Sequence, residues 1–335
     1  MRIAVDAMGG DHAPAHPVDG AVTAARNHGL AIDLIGRESD IRAELERHPD
    51  MADLDVRVID APDVIEMSES PAKALRRKPG ASIRVAAEHV AAGRAVAMFS
   101  AGHTGASVVA AHAAFGMLPG VDRPALAPTV PTRGGAAVLL DAGATVECKP
   151  GHLLQFAQMG ATYARVGLGI ERPRIGLLSI GEEETKGNEL TREAHQLLKA
   201  SALQFVGNVE ARGIFSGDAD VIVCDGFTGN VALKLSEGLV EMVEDLLGEE
   251  LQSTFSSQVG YLLSRRAFRR FRKRVDYSEF GGAPLLGVAG LCIVGHGRSS
   301  VKAVRNAVVM ASRMANNQMM DRLSSEMRSI AVRPS

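Results

Sequence analysis

Short apolar runs alternate along this chain with stretches of helical periodicity, and that alternation constrains the fold more than any other feature. The runs are RIAVDA (2–7), AIDLIG (31–36), VRVIDA (56–61), AVAMFS (95–100), AAVLLDAG (136–143), RIGLLSIG (174–181), ADVIVCDG (219–226) and GLCIVGHG (290–297). Apolar runs of this length, bounded by turn residues, read as strands buried on both faces. Amphipathic helices lie between them, such as 188–200, where Leu190, Ala194, Leu197 and Leu198 follow the helical spacing. Buried strands joined by helices predict an α/β fold with a mostly parallel sheet covered on both sides.

The length, 335 residues, suits one large or two modest α/β domains. Pro- and Gly-rich stretches at 115–135 and 168–176 are candidate boundaries, the first equally a crossing between halves of one sheet. The reading is one α/β unit over 1–320 with a protruding helical element at about 249–277, then a tail, 321–335, expected to lack fixed structure. Aromatic residues make up only 4% and Trp is absent, so the core must be aliphatic. A net charge of −2 provides no global field for nucleic acid. Cys148, Cys224 and Cys292 lack the paired spacing of a zinc or redox site, and two of them sit in strand-like runs as buried thiols. Asp6 interrupts any export signal, and no run of about 18 apolar residues exists to span a membrane. A cytoplasmic protein, at most peripheral to the inner face of the membrane, is expected.

A long helix from about 228 to 250 is expected to bury Leu235, Leu239, Met242, Val243 and Leu246 on one stripe. Beyond it Phe268, Phe271 and Val275 share a helical face amid Arg265, Arg266, Arg269, Arg270, Arg272, Lys273 and Arg274. Such a basic amphipathic segment reads as a surface for lipid or an acidic partner, or as a solvated helix packed on a dimer mate.

Four glycine-rich turns close candidate strands: DAMGGDHAP (6–14), SAGHTGAS (100–107), SIGEEETKGNEL (179–190) and DGFTGNVALK (225–234). Ligands collect outside the carboxyl ends of parallel strands, and helix N-termini there favour anions by about 0.3–1 kcal/mol each. Phosphate is therefore the first expectation. No Gly-x-Ser-x-Gly elbow, Walker lysine, His-Glu-x-x-His or full dinucleotide fingerprint is present. Many of the same residues have a plain structural use. Asp6 and Asp11 suit turns, Asn188 and Thr228 suit helix caps, and His103 suits a local hydrogen bond. Lys186 stands at an expected helix start, where a cation opposes the dipole unless an anion is bound. Lys234 either is solvated or reaches back to the pocket behind Gly229.

Together RIAVDAMGGDHAP, SAGHTGA, GLLSIGEEETKGNEL, DVIVCDGFTGNVALK and GGAPLLGV, in order from residue 2 onwards, resemble the bacterial acyl-ACP:phosphate acyltransferase family, PlsX. The resemblance extends to about residue 317. It implies a Rossmann-like three-layer α/β/α architecture like that of isopropylmalate dehydrogenases and phosphotransacetylases. It also implies attack of inorganic phosphate on a fatty acyl–acyl carrier protein thioester, a homodimer, and no cofactor or metal. In that light Lys186, His103 and Asn230 are the expected catalytic residues. Asn188, Thr228, Gly229, Gly102 and Thr104 would bind phosphate, supported by Asp6, Asp11 and Asp225. His103 is expected to protonate the leaving thiolate, and the 285–294 region to line an acyl groove. The basic helix, through Arg265, Arg266, Phe268, Arg269, Arg270, Phe271 and Lys273, would meet carrier protein or membrane.

Three rivals stand beside this reading. One is a phosphotransacetylase-like enzyme using acyl-CoA, which has less use for so extended a basic patch. Another is a metal- and NAD-dependent dehydrogenase, which needs converging carboxylates from Asp6, Asp11, Asp141 and Asp225. The third is a non-catalytic membrane scaffold, which leaves the glycine-rich turns unexplained.

Overall fold

The computed structural model describes residues 1–331, with the side chains of Val275, Tyr277 and 329–331 outside the description. The strand β1 (Arg2–Asp6) leads through α1 (Ala15–His28) to β2 (Ala31–Gly36), and through α2 (Glu38–Leu45) to β3 (Val56–Asp60). Helices α3 (Pro71–Arg77) and α4 (Ser82–Ala91) return the chain to β4 (Ala97–Ser100), which feeds α5 (Thr104–Phe115). Next come β5 (Ala125–Leu126), β6 (Thr129–Thr132), β7 (Gly135–Leu140), α6 (Pro150–Leu168), β8 (Arg174–Leu178), α7 (Glu189–Ala200), β9 (Gln204–Val209) and β10 (Val221–Val223). Two long helices, α8 (Gly226–Ser253) and α9 (Phe255–Val275), precede β11 (Ala283–Leu286), β12 (Leu291–Val294), α10 (Val301–Asn316) and α11 (Met319–Ala331).

The strands form two sheets rather than one, ordered β3-β2-β1-β4-β12-β11-β5 and β6-β7-β10-β8-β9. Pairing is parallel from β3 across to β12 and from β7 across to β9; antiparallel pairs enter only at one end of each sheet. The break falls at Pro128, between β5, which pairs with β11, and β6, which pairs with β7. The chain changes partners there: the Ala127 N–H donates to Pro284 O of β11, and the Pro128 carbonyl accepts the Leu139 N–H of β7, both at 3.0 Å.

Helices cover both faces, as the near-continuous apolar strands require. Ile3 and Val5 of β1 pack with α1 and α10, whereas Ala4 belongs to the opposite cluster with α4 and α5. The α1–α10 contact is close because position 20 is glycine: a Cβ there would stand 2.5 Å from Val304 Cβ. One buried cluster runs from Ile3 and Val5 through Leu153 and Phe156 to Val221 and Val223, continuous beneath both sheets. The other face of the second sheet, with Leu139 and Ile222, is covered by Ile214 and the start of α8.

Three expectations are corrected. The α8 stripe of Leu235, Leu239, Met242, Val243 and Leu246 is exposed rather than buried, Leu235 by 72%. The segment expected as a loose tail carries α11, whose Met319, Leu323 and Met327 are buried in the core; residues 332–335 lie outside the described residues. Leu197 points outward, while Ala194 and Leu198 of α7 are buried. Val275, expected on the aromatic face of α9, has its side chain outside the description.

Strand order also marks where a ligand belongs. From β1 the chain steps outward to β2 and β3, then returns to β4 on the other side of β1. The crevice outside the carboxyl ends of β1 and β4 is thus a topological switch point, where open α/β sheets bind ligands.

Candidate active site

Five turns meet there, from both sheets. Asp11 follows β1, Gly102 and Thr104 follow β4, and Gly143 follows β7; Asn230 and Lys234 lie on α8 after β10, and His296 and Gly297 follow β12. They line a cavity of ≈ 420 Å³. The rest of its wall combines apolar side chains, among them Val130, Phe215, Leu233, Val240 and Phe280, with polar ones such as Thr129, Ser236, Ser278 and Arg298. A second cavity of ≈ 270 Å³ adjoins it through Asp11, Met67 and Gly102, and contains Asp6 and His103.

The floor is a buried polar network. Asp6 accepts hydrogen bonds from the Met8 N–H at 3.1 Å and from Ser100 Oγ at 2.7 Å, and Ser100 Oγ accepts the Gly102 N–H at 3.1 Å. Burial pushes the Asp6 carboxyl above its usual range, against those donors. A Cβ at Gly9 would stand 2.7 Å from Asp6 Oδ2, so glycine lets the turn close over the carboxyl. His103 caps α5 by accepting the Gly105 N–H on Nδ1 at 3.1 Å, which makes Nε2 the ring's proton-bearing atom when neutral.

The DGFTGN turn is built around Asp141, whose carboxylate accepts N–H bonds from Leu126, Gly143, Ala144 and Thr145 at 2.6–3.0 Å. Gly226 and Gly229 press against this turn: a Cβ at Gly229 would fall 1.9 Å from Asp141 O. Asp225 caps α8, accepting from the Thr228 N–H at 2.9 Å and Thr228 Oγ1 at 2.7 Å. The two glycines and the Asp225–Thr228 pair therefore fix the entry of α8. Asn230 is the residue of this turn that reaches the larger cavity.

One turn further along α8, Lys234 Nζ lies 2.5 Å from His296 Nε2 and 3.0 Å from Glu237 Oε2. His296 Nδ1 accepts the Arg298 N–H at 3.2 Å, while Nε2 faces both the Lys234 ammonium, which donates, and Glu237 Oε2, which accepts, 3.5 Å away. Burial favours the neutral form of Glu237, yet hydrogen bonds from His296 and Lys234 hold its carboxyl below the usual range. A lysine and a histidine thus share one carboxylate at one end of the cavity. The arrangement can hold an anion and move a proton at Nε2.

The expected residues divide sharply. Gly102, Thr104, Asp11 and Asn230 come together in the larger cavity, and Asp6 and His103 in the adjoining one. Lys186 and Asn188 do not join them: both are exposed on the loop after β8, where Asn188 caps α7 through the Thr191 N–H at 2.9 Å. Thr228, Gly229 and Asp225 serve the helix entry described above. The aspartates weighed as metal ligands do not converge, since Asp6, Asp141 and Asp225 are each engaged by their own turns. Leu285, Leu286, Leu291 and Ile293 are buried in strands, so the 285–294 region lines the cavity only at Val294. His296 and Glu237 were missed; the glycine-flanked histidine after a strand, GHG, was the available signal. Burial pushes Cys148 and Cys292 up to about 12 and Cys224 well above the usual thiol range, so none supplies a thiolate nucleophile near neutral pH.

A family model described as fatty acid synthesis protein matches residues 1–322. The chain belongs to this family. Within it, the phosphate acyltransferase of Geobacter sp. (strain M21) is 51% identical over 328 residues, covering 97% of this chain and 93% of the relative. That of Geobacter sulfurreducens is 50% identical over 327 residues, covering 98% and 94%. At this likeness over nearly the whole length, the chain is an acyltransferase acting on phosphate and an acyl donor. Among solved structures, a phosphotransacetylase from Streptococcus pyogenes superposes with a TM-score of 0.61 at 17% identity, over 96% of this chain and 94% of that one. That likeness concerns the Rossmann-like α/β/α fold, which the family shares.

Proposed function

We propose that this phosphate acyltransferase takes a fatty acyl group from the thioester of acyl carrier protein and passes it to inorganic phosphate in the ≈ 420 Å³ cavity. The observation that carries this reading is the Lys234–His296–Glu237 cluster, one turn along α8 from Asn230 and lining the same cavity as Gly102 and Thr104. Lys234 and the N-terminus of α5 would hold phosphate. A phosphate oxygen attacks the thioester carbonyl carbon, and the Asn230 amide donates to the oxyanion that forms. The oxyanion collapses, the C–S bond breaks, and the thiolate takes the proton that the attacking phosphate gives up, relayed through His296 Nε2. The products are acyl phosphate and free thiol. Phosphate is itself the nucleophile, so no side chain needs to be acylated. Positioning supplies about 7–11 kcal/mol in favourable cases, and a donor aimed at the oxyanion about 3–4 more. The apolar side chains of Leu233, Val240, Phe215 and Phe280 suit an acyl chain and exclude water.

This reading moves the proton donor from His103 to His296 and leaves Lys186 and Asn188 outside the step. The exposed stripe on α8 is assigned to a second copy of the chain, and the arginine-rich face of α9 to the acidic carrier protein. Phe268 is half-buried 5.4 Å from Tyr261, and with Phe271 it lines the cleft between α8 and α9. Phe255, Leu262 and Leu263, near the hairpin turn, are the more exposed apolar groups for a membrane contact. No helix of the described residues is long and apolar enough to cross a membrane.

The test is a product assay with palmitoyl-acyl carrier protein and inorganic phosphate, trapping acyl phosphate as its hydroxamate. Phosphate-dependent hydroxamate from the carrier-protein donor supports the reading. Product from palmitoyl-CoA alone would replace the donor.

A further inference from the structure

The hairpin between β6 and β7 turns at Arg133–Gly134, and the last turn of α9 brings Lys273 and Arg274 beside it. The three cations border a cavity of ≈ 340 Å³ together with Thr132 and the Gly134–Gly135 backbone. Among the described residues none of the three has a carboxylate within 4.0 Å, whereas the neighbouring Arg272 is paired with Glu244 at 3.3 Å. Arg274 donates instead to the carbonyl oxygen of Arg133 at 3.4 Å. Among the described residues, a Cβ at Gly134 or Gly135 would meet no atom within 4 Å beyond its chain neighbours, so the space directly above the turn is open.

The negative end of the α9 dipole accounts for Lys273 and Arg274. It does not account for Arg133, which sits on a separate hairpin anchored by its N–H to Phe215 O at 3.0 Å. Like charges gathered without a counter-charge repel, and a bound anion relieves that repulsion. The cavity shares Pro131 and Phe280 with the ≈ 420 Å³ active-site cavity. An anion held in one therefore stands one wall away from the reaction centre in the other.

Resting on the thioester-donor reading above, we propose that Arg133, Lys273 and Arg274 hold the phosphate ester of the donor's phosphopantetheine arm. The arm then passes Pro131 and Phe280 and delivers its thioester beside Asn230 and Lys234. Two arginines suit this ligand because a guanidinium binds phosphate oxygens in pairs. Carrier protein and coenzyme A both present a phosphate at the root of this arm, so the site reads the arm rather than its carrier.

Steady-state kinetics with three donors test this: palmitoyl-acyl carrier protein, palmitoyl-phosphopantetheine, and palmitoyl-pantetheine, which lacks the phosphate. The double variant Arg133→Ala/Arg274→Ala is expected to raise KM at least about tenfold for the two phosphorylated donors. For the bare pantetheine thioester and for inorganic phosphate KM should not rise. Gly134→Asp, which sets a carboxylate among the three intact cations, should give the same pattern. An equal change for all donors, no change for any, a change confined to carrier protein, or a raised KM for inorganic phosphate would each overturn the subsite. A wild-type enzyme that turns over none of the donors removes the donor reading and the subsite with it. Turnover without discrimination between phosphorylated and bare arms removes the subsite alone.

Discussion

Asp6 lies under the first glycine-rich turn with its carboxyl buried, and burial raises it above its ordinary value of 3.8. The folded state therefore binds a proton more tightly than the unfolded chain. From about pH 4 upward the unfolded state releases that proton first, so this group's contribution to stability falls as pH rises. Asp6→Asn cannot titrate. Its stability relative to wild type is expected to improve between pH 4 and pH 7 in urea denaturation, and a constant difference would contradict the assignment. Gly229 makes a sharper steric claim. Gly229→Ala would force Cβ onto Asp141 O and should cost about 1–3 kcal/mol or more, whereas Thr228→Ala, which removes one exposed capping bond, should cost about 1 kcal/mol or less. Thermal denaturation of the two variants checks the order. These residues also show what the sequence could reveal. Gly102, Thr104, Asp11 and Asn230 were legible because turns at strand ends point into one crevice. Asn188 and Thr228 stand at helix entries, since helix capping and phosphate binding call on the same residue types, and Lys186 is exposed on the loop after β8. His296 stayed hidden because its contact with Lys234 spans 62 positions, and Glu237 because an i,i+3 partner of a lysine reads as an ordinary helix-surface pair.

At the scale of elements, buried parallel strands announced themselves and edge elements did not. β1, β2, β3 and β8 lie within their apolar runs to a residue or so. β6 was hidden in a Pro- and Gly-rich stretch, and β9 contains Gly207 at φ 97. β5 is two residues long and owes its identity to β11 rather than to its own composition. α8 presents the opposite lesson: its periodicity was plain, but among the described residues nothing covers its stripe. Five large apolar side chains on its stripe are exposed. A patch of this kind marks a contact surface. If a second copy covers it, Leu239→Asp should shift the protein from dimer to monomer in sedimentation experiments while the far-ultraviolet spectrum stays helical. A wild type that sediments as a monomer would remove that assignment. α11 shows the same dependence from inside, since Met319, Leu323 and Met327 recur at helical spacing but acquire meaning only against α6.

For the whole molecule, the decisive feature is that two sheets share one buried cluster and bring their carboxyl ends to a common cavity. The parallel core was readable from its apolar runs; the division into two sheets at Pro128, which brings α8 opposite β1 and β4, was not. That division sets Asn230 and Lys234 from one sheet against Gly102, Thr104 and His296 from the other. The central claim is that Lys234 in this cavity holds the attacking phosphate. It is tested most directly by the kcat/KM for inorganic phosphate of Lys234→Ala, at saturating palmitoyl-acyl carrier protein, in the hydroxamate-trapping assay. The account predicts a fall of about 10²–10³, the loss that follows removal of one preorganised electrostatic partner, with the KM for the donor little changed. A variant that uses phosphate as well as the wild type would contradict it.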